Sequence, residues 1–174
     1  MKKSLLLLVV AIFTLTTAFE ASAKWTDRNT INLKGPVKAI YDNYGDELWG
    51  FEKDGTLYSR GGVQIISNSR DKLGRITYID ASAITEFFSY TYNQKGLLIK
   101  ESYTGGNRGW QSTTKYTYNA KGQVIKEVHI DEDGYRTTTT YTYQKFDSYG
   151  NWIKRTAKTG RKSTVETRTI TYYW

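Results

Sequence analysis

The stretch Tyr116-Thr-Tyr-Asn-Ala-Lys-Gly-Gln-Val-Ile-Lys-Glu127 is a near copy of residues 90–101 of the same chain. Internal repetition of this kind restricts a chain to stacked or serially paired units. Aligned on their glycines, further copies emerge. Tyr90-Thr-Tyr92-Asn93…Gly96 and Tyr116-Thr-Tyr118-Asn119…Gly122 are the fullest. Trp49-Gly-Phe51…Gly55 and Phe146-Asp147…Gly150 follow, the latter preceded by Tyr141-Thr-Tyr143. Asp71…Gly74 keeps the turn and lacks the aromatics.

The spacing has a physical reading. Asn or Asp opening a turn bonds its own backbone two residues on. A glycine three residues later takes φ > 0 and closes a short hairpin. Each copy is therefore a β-hairpin, with Asn93, Asn119, Asp147, Gly55, Gly74, Gly96, Gly122 and Gly150 as its turn residues. Simple alternation then sets the faces. Tyr118 should face Val124, Tyr116 should face Lys126, and Lys115 should stand opposite Glu127 as a cross-strand ion pair. Tyr90, Tyr92, Tyr116 and Tyr118 line one face. Tyr141 and Tyr143 have the wrong parity relative to Phe146 and join that face only if a bulge intervenes.

Further polar, glycine-containing turns separate the units, at 103–109, 131–134 and 158–161. Successive hairpins should therefore be neighbours in one antiparallel meander of about a dozen strands from Val37 to Trp174. The stretch Asp80 to Glu86 is a weak strand, a loop or a short helical turn. Abundant Tyr and Thr with a single proline agree with an all-β chain. A sheet this long should curl into a half-open roll or barrel with the Tyr/Val face inward. The alternative is a flat single layer.

The N-terminus reads differently. Lys2 and Lys3, an apolar run from Leu5 to Leu15 and the Ala21-Ser22-Ala23 site form a secretory signal peptide over 1–23. The mature domain is then 24–174, secreted or periplasmic. Removing the leader takes two of the 25 basic and one of the 17 acidic residues, leaving 23 and 16, a net charge of +7 on 151 residues. There is no cysteine, so disulfides contribute nothing to stability. No transmembrane helix is expected in the mature chain.

The units Tyr92-Asn93…Gly96, Tyr118-Asn119…Gly122 and Phe146-Asp147…Gly150 resemble the YD repeat of the Rhs family. The resemblance covers roughly 45–174 and implies a repeat-built, spiralling β-sheet without a known chemistry. The chain looks more like the small exported repeat proteins of Bacteroidetes than like the large toxin-enclosing members.

No catalytic constellation is present in the sequence. His129 is the single histidine, and it reads as a strand residue. Asp131-Glu132-Asp133-Gly134 crowds its acids into a hairpin turn, unlike a calcium loop. No metal or cofactor is implied. Glu101 and Glu127 occupy equivalent repeat positions, so repetition already accounts for them. The repeat tyrosines read as core. Trp110, Trp152, Tyr103 and Arg108, where copies differ, are the candidate binding residues, and Lys126 lies over Tyr116 in the simple register. The basic residues are spread along the repeats, which points to glycans or an anionic envelope surface as partner and not to nucleic acid. The functional expectation is an exported, non-enzymatic envelope or extracellular binding or structural protein. The alternatives are a carbohydrate-binding module, a small outer-membrane β-barrel, suggested by the alternating C-terminus 167–174, and an accessory of a YD-repeat toxin system.

Overall fold

A computed structural model describes residues 25–81, 86–105 and 109–174. The expected signal peptide, most of the Asp80–Glu86 connection and Arg108 lie outside the described residues. The strands are β1 (Val37–Tyr41), β2 (Glu47–Phe51), β3 (Leu57–Arg60), β4 (Val63–Gln64), β5 (Ser67–Arg70), β6 (Ile76–Asp80) and β7 (Phe87–Tyr92). They continue with β8 (Leu98–Gly105), β9 (Trp110–Tyr118), β10 (Val124–Ile130), β11 (Arg136–Phe146), β12 (Trp152–Thr159), β13 (Lys162–Thr167) and β14 (Thr169–Tyr172). The chain is all-β and antiparallel, as the repeats require.

The strands form two sheets where the sequence suggested one. Five strands run in the order β14-β1-β2-β3-β4 and nine in the order β13 down to β5. Two bent strands make the corners, a usual way for paired sheets to share strands. β4 and β5 are separated only by Ile65 and Ile66, whose N–H groups donate to the carbonyls of Tyr58 in one sheet and Asp80 in the other. β13 and β14 are separated by Arg168 alone. Pairing is interrupted at both corners, so the result is a two-sheet roll and not a closed barrel. The final strand also departs from expectation. β13 pairs with β12, and β14 crosses to pair with β1.

Seven turns share one geometry, two more than the repeat alignment finds. At Asn119 the backbone N–H donates to the Gln123 carbonyl at 2.9 Å, and the Gly122 N–H donates to the Asn119 carbonyl at 3.0 Å. The Asn119 side-chain oxygen accepts from the N–H groups of Lys121 and Gln123. The same backbone pair recurs at Asp42, Glu52, Asp71, Asn93, Asp131 and Asp147. Glu52 is too long for the side-chain bond, and Asp54 accepts from the Thr56 N–H instead.

A β-bulge follows six of these turns. Its extra residue stands three after the glycine, at Leu48, Tyr58, Thr77, Ile99, Ile125 and Ile153. Simple alternation therefore fails beyond it. Tyr118 does oppose Val124, but Thr117 opposes Lys126, Tyr116 opposes Glu127 and Lys115 opposes Val128. The anticipated Lys115–Glu127 pair and the Lys126–Tyr116 stack do not form. A second bulge, at Gln144, brings Tyr141 and Tyr143 to the inner face.

The bulges explain why the repeat carries tyrosine. A bulge disturbs the ladder and leaves main-chain groups to be satisfied otherwise. The Tyr92 hydroxyl donates to the Ile76 carbonyl at 2.7 Å, Tyr118 to Leu98 at 2.6 Å and Tyr143 to Val124 at 2.7 Å. Each acceptor stands two residues after the preceding turn glycine, beside the bulge. One hairpin's ring thus ties down the bulge of its neighbour. Phenylalanine would fill the same space and leave that carbonyl without this donor.

Ahead of β1, residues 25–35 cross one end of the roll. The five turns found in the sequence ring that end. The strap contains a short 3₁₀ turn, Asp27–Ile31, and touches those turns one after another. Asp27 accepts from the Leu57 N–H and from both terminal nitrogens of Arg70. The Asn32 amide donates to the Gly122 carbonyl at 2.7 Å, and Asn151 bonds both the N–H and the carbonyl of Lys34. Under the strap lies the apolar core, with Val37, Ile40, Phe51, Ile76 and Ile79 fully buried.

Candidate functional site

Because of the bulge, two positions per repeat point inward: two and five residues after the glycine. The first is apolar, as Leu57, Ile76, Leu98, Val124 and Trp152. The second is Arg60, Ile79, Glu101, Glu127 and Arg155. Between the sheets four of these second-position side chains, Arg60, Glu101, Glu127 and Arg155, line a cavity of about 310 Å³. Thr30, Ile31 and Asn32 of the strap also line it. Its volume is near the lower end for small-molecule sites.

The polar lining is largely paired. Arg60 reaches across from the five-stranded sheet, forms an ion pair with Glu101 at 2.8 Å and donates to the Tyr90 hydroxyl. Its guanidinium stacks on Phe88, 3.8 Å from the ring centroid, and borders Trp49. Burial works against its charge, but Glu101 and Tyr90 outweigh it and raise its pKa. Tyr141 donates to Glu127 at 2.9 Å, and Arg155 donates to Glu166 at 2.6 Å while stacking on Tyr141. Burial, with the added charges of Glu101 and Glu127, pushes the Tyr116 hydroxyl far above its ordinary range.

Trp152 lies between two cations. Arg155 is 4.2 Å from its ring centroid and Arg168 is 3.9 Å. Arg168 also donates through Nε to the Trp152 carbonyl at 2.7 Å. Burial first, and Arg155 second, push the Arg168 guanidinium down to about 9. At pH 7 it remains a cation, desolvated beside another cation. Strong perturbations of this kind in a cavity are a marker of functional sites.

The sequence candidates separate. Trp110, at the start of β9, is 50 % exposed. Trp152 was expected at the surface and instead faces inward. Tyr103 also turns inward, its ring 5.2 Å from Phe88 and its hydroxyl donating to Glu86. No contiguous strip of exposed rings joins them. His129 shares a hydrogen bond with Thr114 at 3.1 Å. Among the described residues no cluster of three metal-ligating side chains occurs. Arg60, Arg155 and Arg168 were not singled out in the sequence, because the bulge that turns the first two inward leaves no mark there.

The outer face of the nine-stranded sheet is the second feature. Lys100, Lys115, Lys126, Lys145, Lys154 and Lys158 point outward and are exposed. The carboxylates of β8 to β13 are Glu101, Glu127 and Glu166, and all three point inward. Lys100 stands directly opposite Lys115, and Lys145 opposite Lys154. Like charges placed so are destabilising. Comparison with protein-family models returned no match, and comparison with curated proteins returned none either.

Proposed function

We propose that this protein is an exported, non-enzymatic β-roll that binds an anionic envelope surface through the lysine face of its larger sheet. The observation that carries the reading is the sorting of charge across β8 to β13, with lysines outward and carboxylates inward. Opposed lysine pairs cost stability and gain a use only when an anion lies over them. Outward positions between the lysines are mostly Thr, Ser and Val, with no ring for base stacking, which disfavours single-stranded nucleic acid. They also lack the apolar band that a membrane barrel needs. The leader and the YD-like turns agree with an exported repeat protein.

The test is co-sedimentation of the purified protein with vesicles carrying about one-third anionic lipid, and with an acidic polysaccharide on beads. Each lysine near such a surface contributes about 1 kcal/mol. Reversal of three, Lys100→Glu, Lys126→Glu and Lys154→Glu, should weaken binding at least about 100-fold. Binding to one of the two supports distinguishes a headgroup from a glycan source. Binding that ignores the charge reversal, or no binding to either support, rules the reading out.

A further inference from the structure

The cavity poses a separate question from the lysine face, because its charges do not balance. Arg60 has Glu101 and Arg155 has Glu166. Arg168 has no carboxylate within ion-pair distance among the described residues, and its two terminal nitrogens take no hydrogen bond there. Asp147 is the acid whose field reaches it, but that carboxylate already accepts from the Tyr172 hydroxyl. The corner role of Arg168 needs only its backbone, its Nε bond and one stacking contact. It does not need a second guanidinium on the same indole.

The far side of the same cavity offers the opposite chemistry. Glu127 uses one oxygen for Tyr141 and has no cation partner among the described residues. The Tyr116 hydroxyl lies beside it without a hydrogen bond to any described residue, unlike Tyr90, Tyr92, Tyr118, Tyr141 and Tyr143. Between the two ends stand the rings of Trp152 and Tyr143, 6.2 Å apart between centroids. Leu48 and Phe146, 38 % and 39 % exposed, stand among the lining residues and mark its solvent side.

We propose that this cavity binds a small organic carboxylate with a flat body and a hydroxyl or ammonium group opposite the carboxylate. Arg168 takes the anionic end, supplying the two free donors in the fork geometry that suits a carboxylate. Tyr143 and the edge of Trp152, whose faces the two guanidinium groups cover, border the body. Glu127 accepts from, and Tyr116 donates to, the polar group at the other end. Binding cancels the uncompensated cation and satisfies polar groups that the fold leaves without partners.

The experiment titrates the purified protein with 4-hydroxybenzoate and with the neutral 4-hydroxybenzyl alcohol, by calorimetry and by tryptophan fluorescence. The expected result is saturable binding of the acid with a change in emission, and at least tenfold weaker binding of the alcohol. Arg168→Met should lose at least tenfold in affinity for the acid and Tyr116→Phe severalfold, while Lys72→Gln, in an exposed turn away from both the cavity and the lysine face, binds like the parent. If Arg168→Met does not unfold cooperatively, Tyr116→Phe decides. No saturable binding of the acid, equal binding of acid and alcohol, or unchanged affinity in a folded Arg168→Met or Tyr116→Phe protein overturns the proposal.

Discussion

Arg60 is where the two sheets are tied by charge, and its removal gives a measurable cost. Among the described residues Arg60–Glu101 is the ion pair that joins the five-stranded sheet to the nine-stranded one. Arg60→Met keeps most of the aliphatic stem and deletes the cation, with its stacking on Phe88. Glu101 is then left as an unpaired carboxylate between sheets. Removing one partner of a buried pair costs about 3–5 kcal/mol. The two side chains are 17 % and 12 % exposed, so some water reaches them and the lower end applies, about 3 kcal/mol. For a domain of this size that is a fall of about 6–12 °C in Tm. Urea unfolding followed by tryptophan emission gives the free energy directly. Glu101→Gln in the Arg60→Met background should recover about 2 kcal/mol of the loss, because no charge is then stranded. A single-variant cost below about 1 kcal/mol, or a double variant that loses the sum of the singles, would refute the inter-sheet role.

Two further outcomes follow from the turns and the rings. Gly96 and Gly134 both have positive φ, 79° and 82°, but a side chain at Gly96 meets the Trp25 ring at 2.7 Å and one at Gly134 meets nothing within 4 Å. Gly134→Ala should cost only the left-handed penalty of about 1–2 kcal/mol, and Gly96→Ala at least about 1 kcal/mol more; equal urea midpoints would remove the strap contact from the account. At alkaline pH, burial raises Tyr92 and Tyr172 to about 12, and Tyr90, Tyr116, Tyr118 and Tyr141 further. A raised folded-state value protects the fold below the unfolded value near 10 and is lost as pH climbs through the folded one. Arg168, lowered to about 9, works the other way across part of the same window, but one group does not offset six. The urea midpoint should fall from about pH 10 to 12, with tyrosinate absorbance appearing as the protein unfolds; a flat or rising midpoint contradicts it.

Much of the architecture was legible in the repeat. Asn119 and Gly122 specify their turn by local chemistry, so every copy folds as read, and the rings of Tyr90 and Tyr116 do face inward. Asp42 and Asp131 open the same turn; 131–134 reads in the sequence as a hairpin turn without the aromatic of the repeat, and Tyr41-Asp42…Gly45 lacks the second aromatic two residues earlier that marks the fullest copies. The strap was not legible, since residues 25–35 carry no periodicity and act through contacts up to 117 residues distant in sequence. Arg168 was invisible for a related reason. In Thr167-Arg-Thr169 it reads as one more alternating surface residue, and only the corner between the sheets turns it inward.

The bulge links the interior to the exterior. With strict alternation, residues two and four after the glycine would share the inner face, which would bury Lys100, Lys126 and Lys154. The extra residue at position three moves position four outward and position five inward. Glu101, Glu127 and Arg155 enter the roll, and the three lysines leave it. One backbone irregularity, repeated after each of the five repeat turns, therefore creates the charged cavity and the basic surface together. Burying an unpaired lysine is far costlier than burying a glutamate that meets Arg60 or Tyr141. That difference gives a physical reason for the bulge to hold its position from copy to copy while the residue occupying it varies between Ile99, Thr77 and Tyr58.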